Sequence, residues 1–209
     1  MFLCFIPAIV IHEVSHGFVA YKLGDPTAKA RGRLSLNPLA HIDPFGTVIL
    51  PIALAFFGGP VFGYAKPVPY NPSYFKNIRL GEFMTGMAGP ASNIIMAAIA
   101  VIVSRLLMLV FPVTTTAGSW IFIVCYFFTM VNLCLAFFNL IPLPPLDGSS
   151  IISLFLSDKA LRQYYHIQRY ALPVLFLVVF IIPFLFKINP IMIYIDATAG
   201  NLTRLAFGL

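Results

Sequence analysis

Four stretches of the chain stay apolar for long enough to cross a membrane as helices, which takes about 20 residues at 1.5 Å rise each. They cover residues 1 to about 23, about 80–111, about 119–141 and about 170–186. A polar cluster, His12-Glu13-Val14-Ser15-His16, interrupts the first at its middle. Pro173 and Pro183 are expected to kink or shorten the fourth. Between the first two lie 56 residues, 24–79, rich in Gly, Pro and Asn. Within them, residues 46–57 are apolar but too short for a comfortable crossing, and carry Pro51. They are expected to be re-entrant or interfacial, because irregular backbone at membrane depth needs protein or a wet cavity to cover it. Residues 33–36 and 61–68 read as small extended, β-like pieces, with Pro67 and Pro69 suited to an edge. The tail, 187–209, mixes apolar and polar residues and is expected to lie in the interface.

Composition fixes the class. Hydrophobic residues make up 60% of the 209 and charged residues 10%, against roughly 45–50% and about 25% in soluble globular domains. A soluble fold of this size has too little interior to hide so much apolar surface. The reading is an all-α polytopic membrane protein with about four transmembrane helices. A soluble enzyme, a disordered chain and a disulfide scaffold are excluded. Cys4, Cys125 and Cys134 all sit in apolar runs and read as small apolar residues. The first stretch lacks the basic leader and small-residue cleavage site of a signal peptide, so it is expected to be retained.

The net charge of +6 matters through its placement. Lys22, Lys29, Arg31, Arg33, Lys66, Lys76 and Arg79 fall in the first connection, and Lys159, Arg162 and Arg169 in the third. Residues 112–118 carry no charge. Ten of the thirteen Lys and Arg residues thus share one side if 46–57 does not cross, and the positive-inside rule makes that side cytoplasmic. Nucleic acid is not indicated as a partner; the lipid bilayer is.

The polar cluster carries the chemistry. Residues four apart on a helix share a face, so His12 and His16 can reach one Zn²⁺. Glu13 stands beside the metal without binding it, and can take a proton from water there and pass it to a leaving amine. The chain has four His and two Glu, and three of these six sit together inside an apolar span. Unpaired ionisable groups there cost roughly 2.5–3.5 kcal/mol each, which metal ligation relieves. Catalytic zinc takes three protein ligands and keeps one position open. The third ligand is to be found among Asp25, His41, Asp43, Glu82, Asp147, Asp158, His166 and Asp196. Asp147 stands out because three prolines stop the third helix just before it and Gly148 permits a sharp turn. The topology also brings it to the membrane face that the first span approaches.

These residues resemble the site-2 protease family of intramembrane zinc metalloproteases, in its compact prokaryotic branch without a PDZ module. The likeness rests on His12-Glu13-x-x-His16, on Asn139-x-x-Pro142-x-Pro144-x-Leu146-Asp147-Gly148 and on Gly89-Pro-Ala-Ser-Asn93. Two loop stretches add to it, from Gly32 to Gly46 and from Gly63 to Pro69, and together the match covers roughly residues 1–150. The resemblance implies one Zn²⁺ per chain held by His12, His16 and Asp147, with Glu13 as general base. It implies cleavage within or near a transmembrane segment of a membrane-tethered protein, in a prokaryotic cell membrane with the site toward the cytoplasm. Residues 1–150 would then be the metalloprotease core, and 151–209 a cytoplasmic connection, a further transmembrane helix and an interfacial tail.

Other residues carry weaker signals. Asn93 reads as a substrate-holding or oxyanion-stabilising amide, or equally as an interhelical hydrogen bond. Asn132 reads as part of an amide pair with Asn139 that holds helices together, and Asn139 can also order the Asp147 loop or hold substrate. His41 and Asp43 are candidates to orient a ligand imidazole, or to cap a turn. Two rivals remain from other classes. A metal-ion transporter would explain the buried ionisable groups but not a Glu between the two His. A non-cleaving membrane scaffold is opposed by the intact Glu13.

Overall fold

The computed structural model describes residues 2–49, 52, 56, 65–168 and 170–209. Three helices frame it: α1 (Phe2–Lys22), α2 (Ile78–Met108) and α3 (Thr116–Asn139). At 1.5 Å per residue they are roughly 32, 47 and 36 Å long, and each is apolar enough to cross a bilayer. Their starts follow local chemistry. The Asn77 side chain accepts the Leu80 N–H and opens α2; Thr115 does the same for Gly118 and opens α3.

The bundle buries small and polar side chains and turns large apolar ones outward. Asn93, Asn132, Thr85 and Thr129 are among the largest fully buried side chains, whereas Ile95, Ile99, Ile102 and Leu106 on α2 and Trp120 and Val124 on α3 are exposed. A bilayer inverts the usual economy: hydrocarbon solvates the outer apolar face, and small or hydrogen-bonding groups hold helices together.

After α3 come α4 (Ser149–Phe155), α5 (Asp158–Gln168), α6 (Ala171–Phe176) and α7 (Ile182–Phe186). A wide π-type turn, Leu177–Ile181, joins the last two, so the expected fourth span is a helix broken into short pieces. Then α8 (Pro190–Ile195), a second π-type turn (Asp196–Gly200) and α9 (Asn201–Phe207) form another helical run. The halves Pro173–Phe186 and Pro190–Phe207 are inclined by 105° across Lys187, whose φ is 57°. Counted as one bent span, they bring the total to four.

This tail packs on the bundle and does not lie apart from it. Ala199 is completely buried in a cluster with Ala97 and Leu133. The Tyr194 hydroxyl donates to the Phe137 carbonyl at 3.3 Å, and Arg105 donates to the Ala206 carbonyl at 2.6 Å. Small residues at 197–200 permit that approach, which a count of apolar residues does not reveal. Among the described residues no strand forms. Residues 33–36 and 65–68 are irregular, joined to their surroundings by single hydrogen bonds and not by a ladder. Pro44–Ile49 is a π-type turn, and half of 46–57, like all of 61–64, lies outside the described residues.

Candidate metal centre

Two lone pairs come from one face of α1. His12 and His16 lie a turn apart, ring centroids 4.7 Å from each other and nearly perpendicular at 82°. The third comes from the loop that leaves α3. There the Gly148 N–H returns to the Asn139 carbonyl at 2.6 Å and the Leu146 N–H reaches the Leu143 carbonyl at 2.9 Å. Buried Leu146 anchors this turn. The Asp147 carboxylate faces α1, with Oδ2 3.0 Å from His12 Nε2 and 3.3 Å from His16 Nε2. One ligand atom from each of the three residues lies within 4.8 Å of the others.

Hydrogen-bond polarity says which atoms are free. His16 Nδ1 is 2.6 Å from the Thr85 carbonyl oxygen, and His12 Nδ1 is 2.5 Å from Asn93 Oδ1. Both partners are acceptors, so each Nδ1 carries the hydrogen and each neutral ring presents a bare Nε2. With both rings neutral, two bare nitrogens and a carboxylate oxygen would face one another, and Asp147 Oδ2 is buried with no well-aligned hydrogen bond among the described residues. Facing lone pairs repel unless a cation stands between them. Two imidazoles and one carboxylate are a donor set that suits zinc with a fourth position open.

The rings rest on one face of α2. Thr85, Gly89 and Asn93 recur every fourth residue, so a carbonyl, a gap and an amide line up opposite the two imidazoles. The gap is required. A Cβ on Gly89 would stand 2.6 Å from His12 Nε2 and 2.5 Å from His12 Cε1, and nearer still to His16 Nε2.

Glu13, beside His12, accepts the Val68 N–H on Oε2 at 3.0 Å. The segment that carries Val68 is pinned on both sides. The buried Arg33 guanidinium donates to the carbonyls of Ala40, Lys66 (2.5 Å) and Pro67 (3.4 Å), and the Lys66 N–H reaches the His41 carbonyl at 2.9 Å. Fully buried Asp25 accepts the Asn71 N–H at 2.6 Å and the Thr27 N–H at 2.9 Å. Tyr70 stacks on Phe75, and its phenol is pushed up to about 12 by burial and by the carboxylates of Glu82 and Asp147. It keeps its proton throughout the physiological range.

Some residues singled out in the sequence take other positions. His41 is buried with Nε2 2.7 Å from the Ser35 carbonyl, and Asp43 Oδ1 accepts the Gly46 N–H at 2.7 Å. Thr85 and Asn93, not these two, touch the ligand imidazoles. Asn93 gives one N–H to the Ala8 carbonyl at 3.2 Å and the other to Asn132 Oδ1 at 2.8 Å. Both donors are engaged within the bundle. Asn132 thus pairs with Asn93 across α2 and α3, not with Asn139. The Asn139 amide donates to the Leu135 carbonyl in its own helix at 3.0 Å, and its backbone carbonyl closes the Asp147 loop. Thr85, Gly89 and Arg33 had no assigned role in the site, and Asp25, a candidate third ligand, instead accepts the backbone N–H groups of Thr27 and Asn71. The fourfold spacing of Thr85, Gly89 and Asn93, which mirrors that of His12 and His16, is the signal that points to the first two.

The profile of peptidase family M50 matches residues 108–182. The chain is 38% identical over 182 residues to YwhC of Bacillus subtilis (strain 168), a protein named as a candidate zinc metalloprotease, covering 85% of this chain and 78% of that one. The chain belongs to peptidase family M50. Two further relatives carry the name Rip2 and the same candidate description. The M50 chain is 28% identical to that of Mycolicibacterium smegmatis over 155 residues, 74% of this chain and 56% of the relative. It is 27% identical to that of Mycobacterium tuberculosis (strain H37Rv) over 176 residues, 84% and 64%. No solved structure gives a significant match to this M50 peptidase.

Proposed function

We propose that this M50 peptidase is a zinc metalloprotease that hydrolyses a peptide bond within or near a transmembrane segment of a membrane-tethered protein. The observation that carries the reading is the convergence of His12 Nε2, His16 Nε2 and Asp147 Oδ2, with both Nδ1 atoms already bonded. The zinc named for the relatives fits that donor set. When bound, zinc supplies a Lewis acid for the scissile carbonyl and brings a water's pKa to about 7.

The chain's own residues do the rest. Glu13 Oε2 is held by the Val68 amide, so Oε1 is the oxygen that takes a proton from the attacking water and returns it to the leaving amine. Arg33 and Asp25 hold the segment that fixes the Glu13 carboxylate. Residues 1–150 form the catalytic core on this reading, and the remainder covers its flank. The positive-inside count supports a site on the cytoplasmic side of a cell membrane.

The test pairs metal analysis with cleavage of a transmembrane substrate in proteoliposomes, on wild type and Glu13→Gln. The variant should keep its zinc and lose cleavage by at least about 100-fold, the scale of general acid–base catalysis. Undiminished cleavage would remove Glu13 as the base.

A further inference from the structure

We infer that Asn93 and Asn132 are positioning residues of the metal site: they form a hydrogen-bond relay, anchored on two backbone carbonyls, that fixes which nitrogen of His12 faces Asp147. The inference rests on the proposed ligand set. It adds two residues from α2 and α3 that bind neither metal nor substrate.

The direction of the relay follows from its ends. Asn132 Nδ2 donates to the Phe128 carbonyl at 2.8 Å, and a carbonyl can only accept. Asn132 therefore turns Oδ1 toward Asn93, whose Nδ2 donates to it at 2.8 Å. The second hydrogen of Asn93 Nδ2 goes to the Ala8 carbonyl, again an acceptor only. With both hydrogens committed, Oδ1 is the atom left for the imidazole, and His12 must present Nδ1–H to it. Nε2 is then the lone pair directed at Asp147 Oδ2.

Rotation of either amide would set a carbonyl oxygen against an oxygen or an N–H against an N–H. Both amides are fully buried, so no bulk water relieves such a clash. The orientation is thus set by the backbones of α1 and α3 and delivered through α2. His16 has a simpler arrangement, since its Nδ1 meets a backbone carbonyl that cannot rotate. Only His12 depends on side chains for its tautomer, so it is the ligand that substitutions far from the metal can disturb.

The test uses full-length protein in detergent with zinc itself as the probe. Partners of ligating imidazoles typically contribute 10–100-fold in metal affinity. Asn93→Leu, close in size but without an acceptor, should weaken zinc binding by about that factor. Asn93→Asp restores an acceptor for Nδ1–H but leaves the Ala8 carbonyl and Asn132 Oδ1 without a donor, so it should recover part of the loss. Asn132→Leu should fall between. A role confined to packing predicts the reverse order, because leucine suits an apolar interior better than aspartate. Asn93→Leu binding zinc as wild type does, or Asn93→Asp binding no better than Asn93→Leu, overturns the inference.

A second measurement needs no substitution. Nitrogen-15 NMR of histidine-labelled wild type, titrated with zinc, should show the metal at Nε2 of His12 and the hydrogen at Nδ1. Zinc at Nδ1 would overturn the relay while leaving His12 a ligand. No change at His12 would instead remove the ligand set on which the proposed function stands.

Discussion

Gly89→Ala adds one methyl group at the point where α2 meets both imidazoles. Its carbon would stand 2.6 Å from His12 Nε2, whereas ordinary contact begins at 3.4 Å, so that nitrogen must retreat by about 0.8 Å. Ring atoms on a packed helix do not swing aside as a lysine tip does. Metal–ligand distances tolerate about ±0.2 Å, so the displacement is roughly four times what the site can absorb. Zinc affinity should fall by at least about 100-fold, the upper end of what loss of an outer partner does. The fold should suffer far less. Overpacking costs about 1–3 kcal/mol, and replacing glycine inside a helix returns roughly 0.8–1.0 kcal/mol. Chelator-competition titration reads the affinity, and thermal melting followed by circular dichroism reads the fold. Ile95→Ala, on the outer face of the same helix, serves as the control and should change neither by much. A Gly89→Ala protein that melts normally and binds zinc within threefold of wild type would refute the claim that α2 shapes the metal centre.

Three further outcomes are expected. Asp147→Ala removes one of three donors and should lower zinc occupancy, which elemental analysis after dialysis reads; full occupancy would remove Asp147 as a ligand. Gly86→Ala would bring a methyl carbon 2.7 Å from Ser150 Cβ and 3.3 Å from the Asp147 carbonyl oxygen, pushing the loop away from α2. Zinc binding should weaken by about 10-fold with the imidazoles undisturbed. Asp25→Ala leaves the N–H groups of Thr27 and Asn71 without their buried acceptor, at about 1–3 kcal/mol each. The melting temperature should drop and turnover should fall with it, while zinc stays bound; a variant as active and stable as wild type would show that the segment meeting Glu13 needs no such anchor.

What the sequence displayed and what it concealed divide along a physical line. Membrane helices announce themselves by length and apolarity, and His12, Glu13 and His16 stand out because ionisable groups are costly in such a setting. Asp147 was legible because Pro142, Pro144 and Pro145 must stop α3 just before it. Contacts between helices are another matter. Which residue of α2 faces His12 depends on axial register and rotation, and an apolar stretch specifies neither. Asn93 could therefore be noticed as polar but not assigned its partner, and Thr85 enters through a backbone carbonyl that every residue possesses. His41 is bonded to the Ser35 carbonyl and Asp43 accepts the Gly46 N–H, contacts within a loop whose path the sequence does not specify. That the tail seats against α2 and α3 was not legible either, because the small residues Ala197, Ala199 and Gly200 that allow it leave no mark in hydropathy.

Because both imidazoles lean on α2 through their Nδ1 atoms, the seam between α1 and α2 cannot serve as a door. Prising those two helices apart would strip His12 and His16 of their supports in one movement, and the donor triangle with them. On the proposed function, a bilayer-borne polypeptide would approach from a side that leaves this seam shut, and any gate would belong to the elements that do not touch the rings.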